Sequence, residues 1–381
     1  MGRLARDLFL RLLGRRRRVR RPCQSGHDGR PGAGLPGRPR ELRAAASREV
    51  RWLPARRPDH GRREIVLTAG EVPLVSVVVP AYAAEDTIGA CIDALAAQHE
   101  PPPFEVIVVD SSPDDATTGR VIEHASQHSS LLLRCERLAS RAFPGVARNA
   151  GVLIARADRL LFVDADCVPA PDLVTAALRA LEGGAAAVAG SIALTDDAPP
   201  SARLRHLLEF KESLPSCPSR RTWMLPSACL AMRRDVFVRY GGFPETRASE
   251  DWQLDWRMWQ AGEPLRFDPA LRVVHRTPAG WAALWRYSRL LGFHSGAGRR
   301  RAGLPGQLFV RWPVLAPLVL PAGRTARAFA WCARHARAEL PFLALYWPAY
   351  LAMAFVWAVG FKAGVQADDA VERLARASAS P

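Results

Sequence analysis

The feature that most constrains this chain is an alternation that begins at residue 74. Short apolar runs, LVSVVVPAY (74–82), FEVIVVD (104–110), LLLRCE (131–136) and RLLFVDAD (159–166), alternate with segments of helical periodicity. Those segments are EDTIGACIDALAAQ (85–98), DDATTGRVIEHASQH (114–128) and GVARNAGVLIA (145–155). Strands alternating with helices predict an α/β fold with a parallel sheet covered on both faces. Ligands of such sheets bind beyond the C-terminal strand ends. Here those ends carry Pro80-Ala81-Tyr82, Asp110-Ser111-Ser112 and Asp164-Ala165-Asp166, so acidic and small polar residues from three strands collect along one edge.

The run RLLFVDADCVP (159–169) sharpens this. A charge at the end of a buried strand is costly unless something is bound there. Residues two apart on a strand project to the same face, so Asp164 and Asp166 can converge on one cation. The competing reading is a turn, since Asp is common where strands end and Pro169 and Pro171 follow.

Further along, AAAVAGSIAL (185–194) reads as another strand, and TWMLPSACLAMRRDVF (222–237) runs into a glycine turn, RYGGFPE. SEDWQLDWRMWQAG (249–262) has the marks of a helix: Ser249 as cap, Glu250 and Asp251 in the first turn, and Gly262 at the end. The cap and the helix dipole should keep both carboxylates ionised. Trp252, Trp256 and Trp259 fall at packing-stripe spacing. Leu265 to Val274 should return to the sheet, ending at His275.

The formal net charge of +16 first suggests a nucleic-acid partner, but residues 1–63 hold 19 arginines against 5 acids, leaving only +2 for the rest. The opening MGRLARDLFLRLLGRRRRVRR (1–21) predicts a short basic helix suited to anionic lipid, and residues 22–63 predict a disordered Arg/Pro/Gly tract. GAGLPG (32–37) matches GxGxxG formally, but no strand precedes it and Pro36 interrupts it. The seven cysteines are scattered and never spaced as CxxC, which fits a reducing compartment and argues against a zinc site or a disulfide framework. FLRLLG is broken by Arg11 and makes no signal peptide.

Near the other end, PFLALYWPAYLAMAFVWAVGF (341–361) is uncharged over 21 residues and predicts a transmembrane helix. LFVRWPVLAPLVLP (308–321) predicts a re-entrant or interfacial segment within an amphipathic region spanning 276–340, and 362–381 a polar tail. Arg324, Arg327, Arg334 and Arg337 precede the span, with only Lys362 close behind it, so the positive-inside rule places the preceding domain in the cytosol at the cell membrane.

SVVVPAY, VIVVDSSPDD, VARNAG, FVDAD, GGFPE and SED, in that order over 74–275, resemble the family 2 glycosyltransferases of the GT-A fold. The resemblance implies a Rossmann-like, mostly parallel sheet with flanking helices. It implies that Pro80, Ala81 and Tyr82 contact a nucleotide base or ribose, and that Asp110 holds the base. Arg148 would lie near the nucleotide, Asp164 near the ribose or metal, and Asp166 on the metal. By its own position at a strand end, His275 reads either as a capping or core histidine or as a ligand of the metal or diphosphate. Asp251 would be the catalytic base, with Glu250 the adjacent candidate. Ala83 and Ser111-Ser112-Pro113-Asp114 depart from the family pattern, so UDP, GDP or another nucleotide stays open.

These residue types suit the chemistry. A departing diphosphate develops negative charge that a divalent cation offsets, and carboxylates suit Mg2+ or Mn2+. An acceptor hydroxyl needs a positioned carboxylate to take its proton, in a single displacement with inversion. The implied partners are a nucleotide-sugar donor, a saccharide or lipid-linked acceptor and membrane lipid, with no specific nucleic acid. A nucleotidyltransferase is the nearest enzymatic alternative, but PAYAAEDTI lacks a Gly-rich basic phosphate loop. A non-enzymatic membrane or nucleic-acid binder driven by the arginine tract is the other.

Overall fold

The structure, a computed structural model, describes residues 72–367. The expected basic helix at 1–21, the tract at 22–63 and the tail from 368 onward lie outside the described residues. Strands β1 (Val75–Ala81), β2 (Phe104–Asp110), β3 (Leu132–Arg137) and β4 (Arg159–Val163) pair in the order β3-β2-β1-β4, all parallel. They are joined by α1 (Ile88–Ala96), α2 (Ala116–Gln127) and α3 (Pro144–Ile154). Every residue of β1 is buried, as its continuous apolar run requires of a strand covered on both faces. Val77 and Val79 enter one core with Ile88, Ile92 and Leu161. Val78 enters the opposite core with Ile107, Phe162, Phe243 and Leu254.

Beyond β4 the sheet becomes mixed. β5 (Cys167–Pro169), β6 (Ala187–Leu194), β8 (Cys229–Arg233) and β9 (Leu265–His275) extend it in the order β4-β8-β6-β9-β5, with the two-residue β7 (Arg220–Arg221) pairing β9. Six strands share one direction; β5, β7 and β8 oppose it. The irregular-looking stretch at 222–237 holds β8 and α6 (Arg234–Arg239), and α4 (Leu173–Glu182), α5 (Pro200–Phe210) and α7 (Glu250–Gln260) complete the domain. The six cysteines among the described residues are all buried and free.

After β9 come only helices: α8 (Trp281–Ala302), α9 (Gln307–Arg311), α10 (Leu315–His335), a 3-10 turn at Arg337–Glu339, and α11 (Leu340–Gln366). The apolar stretch 308–321 is not one segment: Trp312 is non-helical, as proline disfavours the helical region for the residue before it, and Pro313 falls in the break between α9 and α10. The stretch Arg337–Gln366 is long and apolar enough to cross a membrane by length and composition. Residues 362–366, expected in the polar tail, continue α11.

α8 and α11 run side by side in the same direction. Trp281 meets Tyr346, Ser288 meets Met353, and Gly292 and Gly296 meet Trp357 and Phe361, a constant offset of 65 residues. The contact is backbone on backbone: a β-carbon at Gly292 or Gly296 would overlap the carbonyls of Trp357 or Phe361. One at Gly360 or Gly364 would overlap those of Arg289 or Phe293. Two GxxxG pairs, GFHSG and GFKAG, therefore interlock, a sequence signal for close helix contact.

Candidate functional site

The site is assembled around Arg148. Pro144 opens α3 at a position where its missing N–H is no loss. Gly151 lets the helix settle on Val78, where a β-carbon would overlap the valine side chain, and Gly145 brings it within 3.0 Å of Glu250 and Phe243 by the same measure. Arg148, only 2% exposed, then points inward. Its Nη2 donates to Asp164 Oδ1, and its Nη1 donates to Glu250 Oε1 at 2.9 Å. One guanidinium thus joins the end of β4 to the start of α7. The neighbouring Asn149 acts structurally: Nδ2 donates to the Phe243 carbonyl at 2.8 Å and Oδ1 accepts from the Phe243 N–H at 3.0 Å. It pins the GGFPE turn, in which Gly242 has φ 64°.

Asp164 and Asp166 do not lie on a strand. β4 stops at Val163, and the Cys167 N–H donates to the Asp164 carbonyl at 3.0 Å, closing a turn that starts β5. The turn and the site are the same feature. It separates the two carboxylates: Asp164 faces Arg148, whereas Asp166 faces the end of β9. β5 pairs with β9 so that Cys167 lies opposite His275, and the His275 Nε2 stands 3.4 Å from Asp166 Oδ2. Ligand atoms of Asp166, Cys167 and His275 lie within 4.8 Å of one another, and Asp164 is not in that group. Burial opposes charge on His275, but the Asp166 hydrogen bond and charge, with Glu209 and Asp164, hold its pKa above the usual value. Burial likewise disfavours charge on Asp166, and His275 outweighs it, holding that carboxyl below the usual range. Burial, then the charges of Asp166 and Asp164, push the Cys167 thiol well up, so it stays neutral. Behind His275, Thr277 Oγ1 lies 2.7 Å from Nδ1 and 3.5 Å from His206 Nδ1.

The first turn of α7 differs from expectation. Ser249 occupies the cap position with φ 65°, and its side chain makes no capping bond. Burial, then the charge of Asp251, pushes Glu250 up to about 7 despite Arg148. Burial also raises Asp251, against the opposing bonds from the Trp252 and Ser227 N–H groups. Desolvation of two adjacent acids outweighs the helix dipole, which is worth about 0.3–1 kcal/mol. Asp251 accepts from Trp252 N–H at 2.8 Å and Ser227 N–H at 3.3 Å, both backbone donors. Asp255, four residues on and so on the same helix face, accepts from the Leu225 N–H at 2.8 Å. α7 therefore holds the loop before β8 through two carboxylates. The sequence reading missed Asp255, although the i,i+4 spacing from Asp251 pointed to it.

At the nucleotide-side candidates, Pro80 and Ala81 end β1, with Ala81 beside Asp110 in the sheet register. Asp110 is fully buried, and its carboxylate accepts from the Ser112 N–H (2.9 Å) and hydroxyl and from Thr118 Oγ1 (2.6 Å). Ser112 Oγ also accepts from the Ala83 N–H at 2.9 Å, lacing the β1 and β2 loops together. Tyr82 is exposed, and the Arg141 guanidinium lies 4.3 Å over its ring. Arg141 borders a cleft of about 340 Å³ with Leu138, Ser140, Phe143 and Glu245. Trp252 and Trp256 pack edge-on against Trp223, at 6.3 and 5.3 Å.

Residues 76–241 match the family model described as glycosyl transferase family 2. Among curated proteins, the chain is 32% identical over 93 residues to the poly(ribitol-phosphate) beta-glucosyltransferase of Bacillus spizizenii, covering 24% of this chain and 14% of that one. It is 29% identical over 206 residues to glycosyltransferase AglE of Haloferax volcanii, covering 51% of this chain and 64% of that one. The chain thus spans less than two thirds of the length of either relative. Among solved structures, the mannosyltransferase PcManGT from Pyrobaculum calidifontis, in complex with GDP-Man and Mn2+, superposes with a TM-score of 0.53 at 23% identity. That match covers 76% of this chain and 87% of that one, and shows the same α/β fold. The strand-end motifs, the sheet that carries them and the segment that matches glycosyl transferase family 2, residues 76–241, all fall in one region of this chain.

Proposed function

We propose that this chain transfers a sugar from a nucleotide-sugar to an acceptor hydroxyl, with inversion, at a membrane surface. The observation that carries the reading is the Arg148 bracket, which ties a strand-end acid, Asp164, to the acidic first turn of α7. Donor and acceptor chemistry need two acidic positions at a fixed separation, and a buried guanidinium bonded to both supplies it.

Asp166 and His275 are the residues that would hold a divalent cation, Mg2+ or Mn2+; a carboxylate and an imidazole suit such an ion, whereas a neutral buried thiol at Cys167 does not. When bound, the cation offsets the charge developing on the departing diphosphate. Asp164, fixed by Arg148, faces the donor. Asp251 takes the acceptor proton: its oxygens accept only from backbone N–H groups and keep lone pairs for the hydroxyl. Glu250 is buried and committed to Arg148, which makes it a positioning residue. Pro80, Ala81, Tyr82 and the loop held by Asp110 would seat the nucleotide.

Asp166→Asn keeps size and removes charge. It should abolish divalent-ion-dependent donor binding, measured by calorimetry with and without metal, while Asp164→Asn only weakens it. Unchanged, EDTA-insensitive turnover in Asp166→Asn overturns the metal assignment.

A further inference from the structure

Exposed apolar surface is unevenly distributed. Every exposed tryptophan among the described residues, Trp281, Trp285, Trp312 and Trp347, lies in the α8–α11 segment, together with Leu318, Leu345 and Phe355. α11 has three sides occupied. α8 lies along one, α10 packs on another through Ala316, Ala328 and Cys332, and Leu204 and Leu207 of α5 share a buried cluster with Leu343 and Tyr350 on the third. The fourth side is the open stripe Leu345, Pro348, Phe355 and Val359.

The start of α11 is tied to the sheet domain directly, and its end is tied to the same domain through α8. At the start, Arg203 Nε donates to Glu339 at 2.9 Å and its guanidinium lies 4.6 Å from the Phe342 ring. Near the end, the Arg299 guanidinium of α8 stands 5.7 Å from both Phe361 and Trp252, the residue after Asp251. At ~1.5 Å per residue, Phe342 and Phe361 lie about 30 Å apart along the helix, the thickness of a hydrocarbon core. A helix anchored at both ends of that length to one water-exposed domain cannot place its ends in two aqueous compartments. Charge adds the partner. Residues 281–367 carry ten arginines and Lys362 against a single acid, Glu339, whereas residues 72–280 carry 26 acids against 21 basic residues.

We propose that the α8–α11 layer docks flat on an anionic phospholipid surface. The open stripe of α11 and the neighbouring Leu318 of α10 enter one leaflet, the tryptophans lie at headgroup depth, and α11 does not cross the bilayer. This replaces the span expected at 341–361, and it stands whatever reaction the sheet domain performs.

The test uses the full chain carrying Cys23→Ser, with Ala338→Cys or Gln366→Cys introduced singly at exposed positions flanking the helix. A membrane-impermeant maleimide should label both sites from the cytosolic face of native vesicles and neither from the opposite face; labelling from opposite faces overturns the proposal. In flotation with vesicles of equal parts phosphatidylglycerol and phosphatidylcholine, binding should survive about 1 M salt, because apolar insertion is not screened. Leu345→Glu with Phe355→Glu should lower that binding at least about tenfold without altering donor hydrolysis. Unchanged binding overturns the proposal. So does a lipid-free dimer that the same pair of substitutions dissociates, since the face would then belong to a second copy of the chain.

Discussion

The sheet domain and the helical layer solve the same burial problem with opposite materials. β1 is seven residues buried on both faces, with valines on successive positions feeding two separate cores, and the charged groups gather at the strand ends. α8 and α11 instead meet through glycines whose backbones touch, and α8 carries five arginines whereas α11 has only Lys362. In water, large side chains removed from solvent supply the stability. Where the outer face is apolar, close backbone packing supplies it. The net +2 outside residues 1–63 hides a further division, because it is mainly the difference between an acidic sheet domain and a strongly basic helical layer.

The largest effect should come from breaking the charged hub of the sheet domain. Arg148→Met leaves Asp164 and Glu250 without their buried partner, and loss of one member of such a pair costs about 3–5 kcal/mol. Denaturant titration near neutral pH should show it. The loss should shrink in mild acid, where Glu250 and Asp251 take up protons and no unpaired charge is buried. A loss that is the same at both pH values would mean that these acids do not ionise in the fold.

Next comes the chemistry. Asp251→Asn should lower transfer by about 10²-fold or more, the scale for losing a general base, with donor affinity nearly unchanged. Glu250→Gln should be milder and act mainly on stability. An inactive but folded Glu250→Gln beside an active Asp251→Asn would reverse the two roles.

In the helical layer, Gly360→Val forces a side chain into the Arg289 carbonyl, and overpacking of this kind costs about 1–3 kcal/mol. Thermal unfolding should show an earlier transition, while the same substitution at Gly119, which has open space around it, should not. Equal shifts at both positions would mean that the interlocked glycines contribute nothing special.

The smallest expected effect is a shift in pH dependence. Glu250 has a folded-state pKa near 7, above its ordinary 4.5, and Asp251 is raised as well. An acid with a raised pKa binds more protons folded than unfolded, so its burial costs nothing below the ordinary value and destabilises increasingly as pH rises toward 7. Because the base must be deprotonated, kcat/KM should rise through an acid limb belonging to the pair. Glu250→Gln removes the like charge and should move that limb to lower pH. A limb that does not move would mean that the two carboxylates do not interact.

Much of this protein was legible in its sequence because the signals are local. Alternating apolar runs and helical periods announced the first four strands and their crossovers. GGFPE announced a turn and SED the start of α7. Period and turn chemistry depend on a few consecutive residues, and no partner element changes them. Other features resisted the same reading. The mixed half of the sheet, with β8 inverted between β4 and β6, depends on pairings between distant segments. The turn at Asp164–Asp166 looked like a strand because its last residues inherit the strand's period.

The sequence by itself determined the α/β architecture, the set of acids at the strand ends, and a helix of spanning length and composition. Tertiary structure alone decided what those pieces do. It separated Asp164 from Asp166 and gave one to Arg148 and the other to His275, because the chain leaves the interior strand β4 and β5 pairs instead with the end of β9 at the sheet's edge. It raised two acids that the helix dipole should have kept ionised, because desolvation depends on what packs above a side chain and no local pattern records that. It fastened both ends of α11 to one domain, since hydropathy measures what a helix can bury but not what it is buried against.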